Sequence, residues 1–382
     1  MTQELHTIFM VILVLEITSV RGGADITLQC PAHRPCRTAF ASYNPVILKC
    51  QDRPKNTLIS WQYLDVYQPH AQAVTFIQSN GSVPQNNEQE QLKALDLMSR
   101  SKLVSGDLQM LSPRVEDTGV YTCKDGEKHL AYYEVDFQDV KHIYISHASL
   151  RQRVQPNTTV DLGNEGTMKI FTVWTDWQPC DRCQGLGERK KVGFCYAEMT
   201  KDSVVSEGST PCGLLRSTLR QVPFLHPPEL RIEMCRRPCA AIPSMDKEIP
   251  YLHLDNYLTY LHADALFKCP TASIYRPVYW EHGKKSFTRL LQLTKKMSYV
   301  LDGTTGGGVL SITLLNKSDE GVYRCYVDGV ETGRFQVTFP DTRDTAVQQS
   351  YSLVDYLLIG LFVFVVFLIF FSIFLVCLTR HD

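Results

Sequence analysis

Charge of neither sign is in surplus. Across 382 residues, 39 Lys and Arg face 40 Asp and Glu, a formal net charge of -1, so no global field draws the chain toward nucleic acid. Catalytic motifs are missing as well: there is no nucleophile elbow, no His-Glu-x-x-His zinc motif, no glycine loop followed by Lys-Ser/Thr, and no EF-hand loop. His226, His253 and His262 lie scattered without ligand spacing, and the one glycine cluster, at 306–308, reads as a hairpin turn before a strand. No residue stands out as catalytic. No cofactor or metal is implied, and no enzyme is expected.

Long apolar runs are present, one near each end. Ile8 to Val20 has the length of a signal-peptide core and is followed by Gly22, Gly23 and Ala24. Residues 1–23 therefore read as a secretory signal peptide, with an uncleaved anchor as the alternative because Glu16 interrupts the run and no Lys or Arg precedes it. Tyr356 to Thr379 carries no charge over 24 residues, more than the roughly 20 needed to cross a bilayer. Asp355 and Arg380 flank it, which places the tail 380–382 in the cytosol. The expected topology is single-pass type I at the plasma membrane, with the N-terminal ectodomain extracellular. The tail has no room for a signalling motif. Cys377 reads either as an S-acylation site or as a small apolar residue of the span.

Of 13 cysteines, 12 lie between Cys30 and Cys325, an even number suited to an oxidising compartment. Acceptor sequons at Asn80, Asn157 and Asn316 fit glycosylation on that side of the membrane. The chain has room for two or three domains, and part of it repeats. Cys50 is followed eleven residues on by Trp61, and Cys269 eleven residues on by Trp280; downstream stand Asp117-Thr118-Gly119-Val120-Tyr121-Thr122-Cys123 and Asp319-Glu320-Gly321-Val322-Tyr323-Arg324-Cys325. Alternation predicts strands at 46–50, 58–63, 108–111 and 120–124 in the first unit, and at 265–269, 278–280, 310–314 and 334–339 in the second.

These anchors resemble the immunoglobulin superfamily in type, order and spacing, twice. The resemblance implies two sheets pinned by Cys50–Cys123 and by Cys269–Cys325, with an indole against each bridge and each tyrosine hydroxyl closing a corner. The 73-residue separation in the first unit leaves room for the extra strands of a variable-type domain; the 56-residue separation in the second fits a more compact sandwich. Asp117 is expected to pair with Arg100 or Lys102. Neither unit ends in the Gly-x-Gly bulge of antigen receptors.

Between the repeats, Trp174-Thr175-Asp176-Trp177-Gln178-Pro179-Cys180-Asp181-Arg182-Cys183, followed by Arg189, Lys191, Cys195, Cys212, Cys235 and Cys239, resembles a thrombospondin type 1 repeat; an unrelated disulfide-rich linker is the alternative. The repeat implies a long thin module with almost no aliphatic core, Arg189 and Lys191 stacked on Trp174 and Trp177, and bridges Cys180–Cys235, Cys183–Cys239 and Cys195–Cys212. Six cysteines allow fifteen pairings, so sequence leaves this open. Cys180 and Cys183 are two residues apart where three is commoner, and the O-fucose acceptor is absent. Trp174 and Trp177 have a spacing that resembles the C-mannosylation signal. Cys30 and Cys36 either close on each other or bridge to another chain. Arg189, Lys190, Lys191, Arg236 and Arg237 form either a stripe for a sulfated glycan or a solvated face.

The expected fold class is all-β: two immunoglobulin-like sandwiches flanking a small disulfide-rich thrombospondin type 1-like module, plus one transmembrane helix. The boundaries are 24–140 for the variable-type domain, 141–250 for the central module with linkers, 251–340 for the second sandwich, 341–355 for a juxtamembrane stalk and 356–379 for the span. The plan resembles a vertebrate group of single-pass Ig-like membrane proteins catalogued as a "family with sequence similarity", in its type B branch. Such an architecture implies recognition or adhesion, with a protein ligand in trans; the alternative is an accessory subunit bound in cis to a signalling or fusion complex.

Overall fold

In a computed structural model, residues 26–30, 35–51, 57–68, 70–81, 88–163, 166–183, 185–201, 204–205, 208–216, 226–238, 252–295, 298–340 and 356–371 are described. The expected signal peptide, the stalk 341–355, Cys239, Cys377 and the tail lie outside them.

Each Cys-Trp-Tyr-Cys set folds as two face-to-face sheets. In the first sandwich one sheet runs Ile26–Leu28, Val46–Leu48, Asp107–Met110, Ser101–Val104, and the other runs Cys36–Ala41, Lys128–Gln138, Gly119–Asp125, Ile59–Asp65, Val74–Gln78. The second sandwich has His253–Leu258, Val330–Thr338, Gly321–Val327, Val278–His282, Lys285–Phe287 facing Ala265–Lys268, Val309–Ile312, Tyr299–Leu301. Cys50–Cys123 and Cys269–Cys325 cross the gaps with Cα atoms 5.8 Å apart in both. Closing a 73-residue loop removes about 4 kcal/mol of chain entropy from the unfolded state. Trp61 and Trp280 are fully buried, and each indole N–H donates at 3.0 Å to a glycine carbonyl, Gly106 and Gly307. Tyr121 and Tyr323 donate to the carbonyls of Asp117 and Asp319 at 2.6 and 3.0 Å.

The 73-residue separation is filled differently from the expectation of extra strands. Among the described residues only Val74–Gln78 is added to the five-stranded sheet; the helix Glu88–Ser99 follows and packs Ala94 and Leu97 into the core. Leu92 and Leu95 stay exposed, so the apolar positions here mark no single face. Gly306 and Gly307 have φ of 70° and 108°, which an L side chain rarely adopts. They form a turn tied by the Asp302 carboxylate to the N–H groups of Thr305, Gly307 and Val309.

Between the sandwiches, Tyr144–His147, Glu229–Cys235, Gly187–Lys201, Thr167–Trp174 and Thr158–Asp161 form a further sheet, with short pairings of Val204–Val205 and Thr210–Pro211 to the long strand. Its bridges are Cys180–Cys235 and Cys195–Cys212; Cys183 is also disulfide-bonded, and Cys30 pairs with Cys36. The expectation of almost no aliphatic core is corrected. Met168, Ile170 and Ala197 gather round the Cys195–Cys212 bridge, and Val192, Phe194, Leu230 and Ile232 form a second cluster with Ala39, Ala41 and Val140 and with Ile274. That second cluster draws on all three modules, so the central sheet is a shared core and not a spacer.

Residues 356–371 form a helix with almost every side chain exposed. Among the described residues no helix is long and apolar enough to cross a membrane, since the rest of the 356–379 run lies outside them.

Asp117 is paired by Arg100 and not by Lys102. Arg100 Nη1 and Nη2 reach its carboxylate at 2.5 and 3.0 Å, where Asp117 is fully buried. Arg100→Ala is expected to lower the unfolding free energy by about 3 kcal/mol, because it leaves a buried carboxylate with Lys93, at 3.5 Å, as its remaining cation, while Lys102→Ala, on an exposed side chain, should change it by under about 0.5 kcal/mol. Denaturant midpoints of the two variants test the assignment; equal losses would contradict it.

Candidate functional site

The central strand Gly187–Lys201 sorts its side chains by parity, as a period of two requires. Arg189 and Lys191 point to one face. The Arg189 guanidinium lies 5.1 Å from the Trp177 ring, and Lys191 Nζ lies 4.6 Å from Trp174 and 5.0 Å from Trp177. This is the expected ladder, each contact contributing roughly 0.5–2 kcal/mol. Gly193 completes it, for a Cβ there would stand 2.3 Å from Thr172 Cγ2 and 2.9 Å from Trp174 Cε3.

The opposite face carries Glu188 and Lys190 into the second sandwich. Lys190 Nζ donates to the Gly306 carbonyl, and Glu188 accepts from the N–H groups of Arg289 and Leu290 at 3.1 and 2.9 Å. Burial lowers the Lys190 pKa, against the pull of Asp181 and Glu188. Burial alone would raise Glu188, but His147 and the two backbone donors hold it below its ordinary value. Burial raises Asp181, against Arg182 and Lys190.

This geometry corrects the expected glycan stripe. Lys190 is buried, turned away from its neighbours by strand alternation, and is not available to a sulfate. Arg189 is ion-paired with Glu233 as well as stacked. Of the five candidates, Arg236 and Arg237 remain exposed, beside Gly185 and Leu186. Asn80, Asn157 and Asn316 are all exposed. No group of three or more His, Cys, Asp or Glu among the described residues is placed to hold a metal.

The outer face of the first sandwich's five-stranded sheet is covered over half its extent by the protein itself. At the lower half, Gln138 exchanges two hydrogen bonds with the Cys195 backbone, donating to its carbonyl at 2.9 Å and accepting from its N–H at 2.8 Å. Asp136 accepts from Gln138 and from the Gly213 N–H, at 2.8 and 2.9 Å. Ala39 donates to the Tyr196 hydroxyl and Ala41 to that of Tyr275. The Cys195–Cys212 loop thus caps the face. In the upper half Tyr132 is 37% exposed; it lies opposite Thr122, which is itself buried, with Arg37 and Glu134 ion-paired beside it. Sequence reasoning missed this division, because alternation marks Asp136 and Gln138 as outward-facing and says nothing about what lies over them.

A crevice of about 210 Å³ lies between the helix Glu88–Ser99 and the strands at Tyr63 and Phe76. Among the described residues its rim cation is Lys93, which donates to the Glu116 carbonyl at 2.7 Å, pairs with Asp117 at 3.5 Å and lies over Tyr63.

Two consequences follow for the cap. A Cβ on Gly213 would stand 1.9 Å from Asp136 Oδ1, so Gly213→Ala is expected to cost about 1–3 kcal/mol and to open the 208–216 loop to protease; an uncleaved loop would refute the close contact. Burial raises the Asp136 pKa above its ordinary 3.8, with Gln138 and Gly213 opposing. A carboxyl raised on folding binds more protons in the native state, so its contribution falls as pH climbs from about 4 through the folded pKa. Asp136→Asn keeps an acceptor for Gly213 and should stabilise the chain more at pH 7 than at pH 4 relative to the parent, read by denaturation at both; a gap independent of pH would count against it.

No protein-family model matches the chain. Among curated proteins it is similar to "Ig-like V-type domain-containing protein FAM187A" of Mus musculus, 28% identical over 308 residues that cover 69% of this chain and 70% of that protein. The Rattus norvegicus and Bos taurus proteins of the same name are 26% and 23% identical, each covering 69% of both chains. Among solved structures, murine CEACAM1b is 13% identical, covering 79% of this chain and 96% of that one at a TM-score of 0.18, and the CD2-binding domain of CD58 is 18% identical, covering 23% and 54% at 0.18. At such TM-scores the superpositions carry no weight. The sequence matches do: this chain, mostly β and built of disulfide-pinned sheets, is a distant homologue of the FAM187A Ig-like V-type domain proteins.

Proposed function

We propose that the chain is a cell-surface recognition or adhesion glycoprotein, and not an enzyme, that binds a protein ligand in trans through the open upper half of the first sandwich's five-stranded sheet. In this reading residues 356–379 span the plasma membrane once, the N-terminal side is extracellular, Asn80, Asn157 and Asn316 carry N-glycans, and the chain is a type B counterpart of the homologues above. The observation that carries it is the half-covered face. Its lower part is committed to the central module, while Tyr132, with the Arg37–Glu134 pair beside it, is left on the sandwich farthest along the chain from the apolar helix. A half-exposed aromatic beside polar groups is the composition of an interface anchor. A sulfated glycan is the weaker partner, since burial and pairing remove Lys190 and Arg189 from the basic stripe. C-mannosylation of Trp174 and Trp177 would decorate the ladder without creating a binding site.

The second reading, an accessory subunit in cis, is compatible with Phe362, Phe364, Phe367, Phe370 and Phe371 standing exposed on the helix 356–371, where lipid or another helix of the same bilayer would cover them. The two readings separate on cells that display the full chain. If the trans reading holds, partner cells adhere and Tyr132→Ala cuts adhesion about tenfold or more, the scale of an anchoring tyrosine. Adhesion unchanged by Tyr132→Ala removes this face from the proposal. No adhesion, with proximity labelling that repeatedly recovers one neighbour of the same membrane, replaces it with the cis reading.

A further inference from the structure

The second sandwich has two poles with opposite fates. At one, the loops after Cys269 and before Val309 meet the rest of the molecule. Asn44 donates to the Thr304 carbonyl and accepts from the Ile274 N–H, at 2.9 and 2.7 Å, and Lys190 caps Gly306. The strand Ala265–Lys268 leads into this pole and Val309–Ile312 leads back out, so Ala265 and Ile312 mark the other end.

That other end is where the chain leaves for the apolar helix. Leu258 pairs with Thr338 in a parallel ladder, Thr259 donates to the Thr338 carbonyl, and His262 donates to the Leu315 carbonyl. These contacts gather Leu258, Tyr260, Leu261 and Leu314 near Phe339, and the four are 71, 72, 51 and 61% exposed. Leu314 holds φ at 54°, a left-handed conformation that costs a residue of this type about 1–2 kcal/mol. The turn from His282 to Lys285 lies at the same end, since His282 faces Tyr323 and Gly321 faces Val337. It presents Lys284 and Lys285, and Lys317 is exposed nearby. The acids of this pole are engaged locally: Asp264 and Asp319 accept from the Leu314 and Asn316 N–H groups, and Glu320 pairs with Lys317.

We propose that this pole rests on the phospholipid surface of the bilayer that holds the 356–379 segment. Leu258, Tyr260, Leu261 and Leu314 enter the headgroup layer, and Lys284 and Lys285 meet the lipid phosphates. The inference rests on the membrane-span reading. Three observations select a lipid surface. The apolar side chains gather at one end of the sandwich, with Lys284 and Lys285 exposed on the adjoining turn, the pattern of interfacial binding. They sit where the chain exits, seventeen positions before residue 356, and tethering at that length holds the pole at high effective concentration over the bilayer, so weak contacts suffice. The opposite pole is already occupied by the other two modules.

The test is hydroxyl-radical footprinting of the full chain, reconstituted in phosphatidylcholine vesicles containing phosphatidylserine, with Leu92 on the distal sandwich as the internal reference. The expected result is oxidation at Leu258, Tyr260, Leu261 and Leu314 several-fold below that at Leu92, restored at Leu314 by the double variant Tyr260→Glu, Leu261→Glu. Oxidation matching that at Leu92 overturns the proposal. Asn316 lies on the same loop, so the Asn316→Gln chain is measured in parallel: protection that vanishes with the glycan assigns the cover to sugar and overturns it too. Alkaline extraction of the same vesicles reports on the span separately. A chain that is released sinks the membrane reading, whereas a retained chain with unprotected leucines sinks only this inference.

Discussion

One strand organises the molecule. Gly187–Lys201 is long enough to serve both faces of the central sheet, and its two-residue period assigns each side chain a different neighbour. Arg189 and Lys191 hold the tryptophan ladder, Glu188 and Lys190 enter the second sandwich, Val192 and Phe194 fill the core shared by the three modules, and Cys195 and Ala197 pack the far side. A shift of one residue would exchange every one of these partners. The ladder side explains why the register holds: Gly193 leaves no room for a side chain beside Trp174, and the Cys195–Cys212 bridge fixes the next turn.

The buried charges along this strand follow the same logic. Placing an ammonium and carboxylates out of water costs several kcal/mol each unless hydrogen bonds and opposite charges compensate. Here compensation comes largely from backbone groups of the second sandwich, the Gly306 carbonyl for Lys190 and the Arg289 and Leu290 N–H groups for Glu188. Hence the partners exist only when the modules are docked. Separating them would hand both charges to water, with Glu188 keeping His147, so the polar contacts specify one arrangement while the apolar cluster around Phe194 and Ile274 supplies the gain from burial.

Much of the architecture is legible in the sequence because its signals are local or paired. The cysteine, tryptophan and tyrosine anchors locate both sandwiches, and the eight expected strands match observed ones apart from their ends. The ladder is legible from Arg189 and Lys191 standing two apart beside a Trp-x-x-Trp. Lys190 was misread for a physical reason: alternation tells that it faces away from Arg189, but a charged residue facing away is ordinarily solvated, and only the docked second sandwich makes that side an interior. The helix Glu88–Ser99 escaped notice because Leu92 and Leu95 are exposed while Ala94 and Leu97 are buried, which blurs the helical period. Asp136 and Gln138 look like surface residues on an edge-proximal strand, and their burial depends on a loop some seventy residues away.

Docking of the modules also limits where a partner can bind. A sandwich on a flexible string would offer both sheet faces and both poles. In this molecule the lower half of the first sandwich's five-stranded sheet is sealed by the Cys195–Cys212 loop, and one pole of the second is consumed by contacts to Asn44 and Lys190. Among the surfaces left open are a small polar and aromatic half-face at Tyr132 and an apolar pole beside Phe339. These two surfaces differ in chemistry and lie on different sandwiches, so they suit different partners. Because the shared core joins them through one continuous set of contacts, a partner that prised the cap at Asp136 open would act against the same packing that positions the second sandwich.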